Sequence, residues 1–446
     1  LNVGDPHSMA DPISQATASL AEQGDATPIG HKRELARALF TGGNRASLLH
    51  GGDMLFPAMV RAIDAARHEV WLATYIYHNL GQIEDITRAL VAAARRGVQV
   101  KVVLDGFGSR SNLPGLRQVL CEAGVMLTVF RPIDRWWNWF QPGQFRRLHQ
   151  KLCVVDGDVA FVGGVNLIDD RFDQVHGWSD EPRLDFAVQL SGPVVVPIEQ
   201  AVRALWTRAD LGRNFSQDMA TLARSAEPVA RARRVLKRMR MPTGGGTTHP
   251  ENLPPVRAAF VMRDNFRRRR AIERSFIDAI RNARQRVDLI SPYFYPGRAF
   301  RRVLLQAAKR GVQVRLLLQG KVDYRIAALA AHALYAELLS AGVRIFEYMP
   351  AFLHAKIGLA DDDWATVGSS NIDPLSLLLN LEANAVIRDI DFVRSLAKQF
   401  DEAVAVSAEI NAEQIHSRTL GAVLRRRFVA WCAHIYLRIA GSTGKY

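Results

Sequence analysis

Cysteine is scarce. Cys121, Cys153 and Cys432 are the only three in 446 residues. They are scattered without metal-ligand spacing, which excludes a disulfide framework or a cysteine-based zinc site and fits a reducing compartment. Long apolar runs are missing too: no stretch of about 18 uncharged apolar residues is present, so no spanning helix is expected. Acidic residues fall short of basic ones, 44 against 58, leaving a net charge of +14. Such an excess favours an anionic partner, either nucleic acid or an acidic membrane surface.

The length allows two domains or more, each with its own core. The opening LNVGDPHSM, without an initiator Met at residue 1, reads as a cloning remnant, with Met9 the expected natural start. Residues 1–30 are expected to be loose.

Two long segments repeat each other. ARHEVWLATYIY (66–77) matches ARQRVDLISPYFY (283–295), LVAAARRGVQVKVVLDG matches LLQAAKRGVQVRLLLQG, and AGVMLTVFRP matches AGVRIFEYMP. Each half reads as strand, amphipathic helix, strand, helix, strand, with Gly97 and Gly311 as helix stops. The alternation predicts an α/β fold with two tandem units, each a mixed, mostly parallel sheet flanked by helices. The expected units are 31–215 and 257–410, joined by a linker over 216–256 that contains RARRVLKRMR and a Gly-rich loop, and followed by a segment at 411–446. In that last segment Leu424, Phe428, Trp431 and Ile435 follow one helical stripe beside Arg425, Arg426, Arg427 and Arg438. It is too charged to span a bilayer but suited to lying on an anionic one; packing against the protein is the alternative.

The repeat also carries a motif. RRLHQKLCVVDGDVAFVGGVN holds His149, Lys151, Asp156, Gly163 and Asn166, and FLHAKIGLADDDWATVGSSN repeats the spacing with His354, Lys356, Asp361, Gly368 and Asn371. With each fixed residue at about one in twenty, a single match is roughly a one-in-ten-thousand accident, and two at corresponding places are not accidental. Residues i and i+2 of a strand share a face, so each His and its Lys project together. Asp156 has the opposite parity and opens a hairpin-turn signal, DGD, so a supporting role is as well motivated as a direct one for it and for Asp361. The return strands should bring Asn166 and Asn371 back beside the histidines.

Two histidines, two lysines and two asparagines across a pseudo-dyad suit phosphodiester transfer. One imidazole attacks phosphorus and the other manages the proton of the leaving and entering oxygens. The lysines and asparagines hold the non-bridging oxygens. Neither a metal nor a cofactor is required. Each histidine needs a carboxylate to fix its tautomer, and Asp185 and Glu382, each alone among apolar strand residues, are the candidates.

The doubled H-x-K-x4-D with a trailing G-[GS]-x-N resembles the signature of the phospholipase D superfamily, over about residues 45–410. LLHGGDMLFPAMVRAIDAARHEVWLATYIY and GSSNIDPLSLLLNLEANAVI are similar to bacterial cardiolipin synthases, most of all the short B-type form. The resemblance implies phosphatidyl transfer to the glycerol hydroxyl of phosphatidylglycerol through a phosphohistidine. It implies His149 as nucleophile, His354 as acid/base, and Asp185 and Glu382 as the histidine-orienting carboxylates, and it includes Asp156 and Asp361 in the catalytic motif. Where the first motif has Gly164 the second has Ser369, read as an extra hydroxyl for phosphate oxygens. Anionic phospholipid is then the expected partner, at the cytoplasmic face of the bacterial inner membrane, with no obligatory nucleic acid. A phospholipid hydrolase, a nuclease and a basic binding protein with a relic site are the competing readings.

The first half carries 13 extra residues just before its motif, in IDRWWNWFQPGQFRR. Trp136, Trp137, Trp139 and Phe140 there suit either a buried satellite cluster or a membrane-contacting insertion beside His149.

Overall fold

In both halves the strands that follow an amphipathic helix are apolar on both faces. Strand β3 (Glu69–Thr74) shows why: Val70 and Leu72 pack under the outer helices while Trp71 and Ala73 face the molecule's centre. Helix α2 (Ile83–Arg95) buries Ile83, Ile86, Leu90 and Ala93, the helical i, i+3, i+7 stripe. It stops at Gly97, whose φ of +90° lets Val98 N–H return to the Ala93 carbonyl. Helix α6 (Arg298–Lys309) ends in the same way at Gly311, φ +89°, with Val312 N–H on Ala307. The sequence repeat is therefore a repeat of caps and packing faces.

The computed structural model describes residues 38–133, 146–174, 176–213, 246–264, 268–321, 325–373, 376 and 380–411. In chain order the first half runs β1 (Phe40–Thr41), β2 (Arg45–His50), α1 (Gly51–Asp64), β3, α2, β4 (Gln99–Asp105), α3 (Leu113–Glu122), β5 (Met126–Phe130), β6 (Lys151–Val155), β7 (Val159–Gly163), β8 (Phe172–Asp173), β9 (Gly177–Trp178), β10 (Phe186–Ser191) and α4 (Val195–Arg213). The second runs β11 (Arg257–Arg263), α5 (Ala271–Asn282), β12 (Arg286–Ser291), α6, β13 (Gln313–Gln319), α7 (Arg325–Ser340), β14 (Arg344–Tyr348), β15 (Ile357–Ala360), β16 (Trp364–Gly368), β17 (Glu382–Arg388), α8 (Ile390–Ala405) and β18 (Ala408–Glu409).

Two large sheets result, ordered β2-β10-β7-β6-β3-β4-β5 and β1-β11-β17-β16-β15-β12-β13-β14-β18. Both are mixed, but not mostly parallel as the sequence suggests. Parallel pairing is confined to β3-β4-β5 and β12-β13-β14, where helices make the crossovers. The motif strands return through tight turns and pair antiparallel, β6 with β7 and β15 with β16. A second difference lies at the start of the chain, where β1 pairs with β11 in the second half's sheet.

The inner faces of both sheets and helices α4 and α8 share one core. It joins Val154, Val162 and Val188 of the first sheet to Ile357, Val367 and Ala385 of the second. Two outer cores lie under α1–α3 and under α5–α7. Among the described residues no helix is long and apolar enough to cross a membrane.

Candidate active site

The chain just before each motif histidine is stitched to the other half. Leu148 and Leu381 form a parallel bridge, with His149 N–H donating to the Leu381 carbonyl (3.0 Å) and Leu381 N–H to that of Arg147 (2.9 Å). Leu353 and Leu184 do the same, with His354 N–H donating to Leu184 (2.9 Å) and Leu184 N–H to Phe352 (3.0 Å). Each histidine is thus hung beside the residue that precedes the opposite half's carboxylate. The side chains follow: His149 Nδ1 lies 3.0 Å from Glu382 Oε2, and His354 Nδ1 lies 2.6 Å from Asp185 Oδ2. The two carboxylates serve crosswise.

With Nδ1 engaged by its carboxylate, each imidazole keeps Nε2 for other partners. Lys151 Nζ donates to the His149 carbonyl (2.8 Å), and Lys356 Nζ to that of His354. Both ammonium groups are buried. Asn166 and Asn371 are buried as well, and the Oδ1 of each has no hydrogen-bond partner. Turned the other way, either amide would present an N–H2 there, the donor a phosphate oxygen needs.

Burial pushes Lys151 down to about 8 and Lys356 down to about 7, against the pull of Glu382 and Asp185. Burial also lowers both histidines, His354 well below its usual range, where Lys356, Arg183, Lys151 and His149 add to the effect. The carboxylates diverge. Burial raises Asp185 to about 7. It acts in the same sense on Glu382, but the His149 and Lys151 charges and the Ser369 hydroxyl outweigh it and hold that carboxyl below its ordinary value. Glu382 is thus the more readily ionised of the two carboxyls and pairs with His149 Nδ1, whereas Asp185, paired with His354 Nδ1, holds its proton to higher pH.

Three motif residues lie differently from what the motif suggests. Asp156 and Asp361 sit past the far ends of β6 and β15, where their side chains are committed to backbone. Asp156 accepts from the N–H groups of Arg67 (2.8 Å), His68 (2.9 Å) and Glu69 (2.8 Å). Asp361 accepts from those of Arg284, Gln285 and Arg286. Both have positive φ, +52° and +50°, a conformation that Asp tolerates better than most residues. They fasten the motif hairpin to β3 or β12 and do not reach the histidines. Ser369 is fully buried, and its hydroxyl donates to Glu382 Oε2 (2.5 Å) and accepts from Ala383 N–H (3.0 Å). It supports a carboxylate; it is not a phosphate ligand. Trp136, Trp137, Trp139 and Phe140 lie outside the described residues, as do residues 412–446.

Sequence reasoning missed Tyr75, whose ring stands edge-on to His149 (5.1 Å between centroids) with Lys151 Nζ 5.6 Å from it. It also missed Gln150, whose amide donates to the Glu382 carbonyl (3.0 Å), and Asp105, which accepts from Leu148 N–H (2.8 Å) and fixes the chain entering His149. Gln150 falls on the off-face parity, and Tyr75 sits in an ordinary strand end. Asp105, at the close of an apolar strand, carried the same isolated-carboxylate signal as Asp185. Among the described residues no three His, Cys, Asp or Glu groups come together as a metal site.

Residues 59–177 and 276–404 match the family described as "Cardiolipin synthase, PLD-like domain". The chain is 35% identical to cardiolipin synthase B of Escherichia coli strain K12 over 379 residues, 82% of each chain. It is 36% identical to cardiolipin synthase B of Salmonella typhi over 354 residues, 79% of each. Its fold is shared with the crystal structure of phosphatidylserine synthase from Haemophilus influenzae Rd KW20, with a TM-score of 0.60 over 94% of this chain and 98% of that one at 13% identity.

Proposed function

We propose that this chain, which belongs to the cardiolipin synthase, PLD-like family, transfers a phosphatidyl group from a phospholipid such as phosphatidylglycerol to the glycerol hydroxyl of phosphatidylglycerol. The observation that carries the reading is the crossed pair of dyads, His149 with an ionised Glu382 and His354 with a proton-holding Asp185.

In the first step His149 Nε2 attacks phosphorus, a P–N bond forms and the bond to the leaving alkoxide breaks. His354 Nε2–H gives its proton to that oxygen, while Asp185 supplies one at Nδ1. In the second step the acceptor hydroxyl attacks the phosphohistidine, its proton passes to His354 Nε2, and His149 is released. Glu382 stabilises the cationic phosphoimidazole through Nδ1–H. Lys151, Lys356, Asn166 and Asn371 surround the non-bridging oxygens, and each lysine is aimed by its hydrogen bond to a histidine carbonyl. Such substrates would be met at a membrane surface, and the reading carries with it a peripheral enzyme at the cytoplasmic face of the inner membrane. The insertion with Trp136, Trp137, Trp139 and Phe140 would contact lipid there.

Incubation with labelled phosphatidylglycerol vesicles tests the reading. Cardiolipin and glycerol are the expected products. Phosphatidic acid alone would make the protein a hydrolase, and an inert lipid beside cleaved DNA would make it a nuclease.

A further inference from the structure

The step from motif asparagine to carboxylate is 19 residues in the first half (Asn166 to Asp185) and 11 in the second (Asn371 to Glu382), an excess of 8. In the first half this stretch includes the antiparallel ribbon β8-β9, Phe172 pairing with Trp178 and Asp173 with Gly177. It is firmly tied. Arg183 donates to the Phe172 carbonyl (3.2 Å) and to Asp173 Oδ2 (3.4 Å), and Asp173 Oδ1 accepts from His176 N–H (3.0 Å). Ser179 N–H closes onto the Arg171 carbonyl (2.7 Å).

Position gives the ribbon its interest. Phe172 stacks on His78, centroids 5.0 Å apart and planes within 8°, and His78 follows β3 three residues after Tyr75, the ring against His149. On the other side the His176 ring packs 5.1 Å from Phe352, two residues before His354. The ribbon therefore touches, in each half, a segment that adjoins a motif histidine in the chain. Arg183, which ties the ribbon, is also among the charges acting on His354, the more open of the two histidines at 23% exposed against 13% for His149. The ribbon's outermost ring, Trp178, lies 5.3 Å from Phe172 and is 64% exposed. An exposed indole on a tied ribbon, two residues from the His176 imidazole whose Nδ1 is held 3.1 Å from Asp173 Oδ1, matches a polyol. The indole face takes the C–H side, while the second imidazole nitrogen of His176 takes a hydroxyl.

We propose that this ribbon is the acceptor wall of the cleft: the Trp178 indole and the His176 imidazole hold a polyol head group so that its hydroxyl, rather than water, meets the phosphohistidine. The alcohol oxygen bonds phosphorus, the P–N bond to His149 breaks, and the alcohol proton goes to His354. With water in place of the alcohol, the same electron count gives hydrolysis. The assignment rests on the two-step transfer through His149.

The test uses the full chain with bis(p-nitrophenyl) phosphate and glycerol as probe acceptor. Nitrophenol release counts turnovers, and phosphorus NMR measures the ratio of glyceryl diester to hydrolysed monoester. Trp178→Ala and His176→Ala should lower that ratio by about fivefold or more, the scale of one or two lost acceptor contacts. Trp178→Phe should keep most of it, and with ethanol as acceptor the variants should match the parent. An unchanged glycerol ratio in both alanine variants, or an equal fall with ethanol, overturns the acceptor wall. So does a parent chain showing no preference for glycerol over ethanol. A parent that transfers to glycerol but makes no cardiolipin from phosphatidylglycerol vesicles overturns the lipid reading alone.

Discussion

Ser369 and Gly164 hold equivalent places after the motif glycines, yet only Ser369 has room for a side chain. A Cβ on Gly164 would come within 2.3 Å of Asp185 Oδ1, whereas the Ser369 hydroxyl is bonded to Glu382 Oε2. The shorter carboxylate fills its own pocket, and the longer one shares its pocket with a hydroxyl. The difference between Gly-Gly-Val-Asn and Gly-Ser-Ser-Asn thus gives Glu382 a hydroxyl donor that Asp185 lacks.

Ser369→Ala should cost activity without touching substrate. Losing a hydrogen bond to a buried carboxylate is worth about 1.5–3 kcal/mol. Because that bond stabilises the ionised form, its removal raises the Glu382 pKa and moves the acid limb of the rate profile to higher pH. A pH–kcat series checks this; a profile lowered uniformly, with its acid limb in place, would contradict the role.

Gly164→Ser should be damaging although it copies the other half. Forcing the hydroxymethyl against Asp185 should lower stability by about 1–3 kcal/mol, read as a fall in thermal midpoint, and should tilt His354. Unaltered stability would mean that Asp185 can move aside.

Asp185→Asn separates the two dyads by leaving group. With an alkoxide leaving group, loss of the proton source should slow phosphoenzyme formation by about 10²–10⁴-fold. With p-nitrophenolate, which departs without a proton, the loss should be far smaller. Equal losses on both substrates would place Asp185 on the nucleophile's side.

The lysines give a pH signature. In the free protein Lys356 lies at about 7 and Lys151 at about 8. A bound dianion favours the ammonium forms, so binding takes up protons and affinity is greatest below these values. Sulfate affinity measured calorimetrically should fall by about tenfold or more from about pH 6 to about pH 9. Affinity flat across that window would show both lysines fully charged before the anion arrives.

Asp156 predicts the reverse of a catalytic phenotype. Asp156→Ala removes three backbone acceptor contacts and places Ala at positive φ, which should cost about 1–3 kcal/mol of stability. The protein that remains folded should keep its turnover number. The three N–H bonds hold the folded pKa below its ordinary value. This contribution is present above the unfolded carboxylate range and fades as pH drops through the folded pKa. Activity lost in a variant with unchanged stability would return Asp156 to the chemistry.

Much of the site was legible in the primary structure because its spacing is local. The i, i+2 parity put His149 with Lys151, and the DGD turn placed Asp156 away from them. Asp185 and Glu382 announced themselves as lone charges in apolar strands. Their crosswise use was not legible, because it depends on the Leu148–Leu381 and Leu184–Leu353 bridges, between segments some 170 to 230 positions apart. The Ser369 hydroxyl was misjudged because a serine can face phosphate or carboxylate equally well, and only burial decides. Sheet direction was misjudged because β-branched, apolar strands look alike whether the neighbour runs with or against them.

The crossed dyads also fix when in its life the protein can work. His149 Nδ1 finds its partner 233 residues downstream, and β1 waits for β11 to join its sheet. A chain emerging from the ribosome therefore holds its first motif, complete in sequence, long before that motif has a tautomer to work with. His149 stays without its carboxylate until β17 has been synthesised and docked. Premature termination anywhere upstream of Glu382 then yields an inert product, not a half-active one.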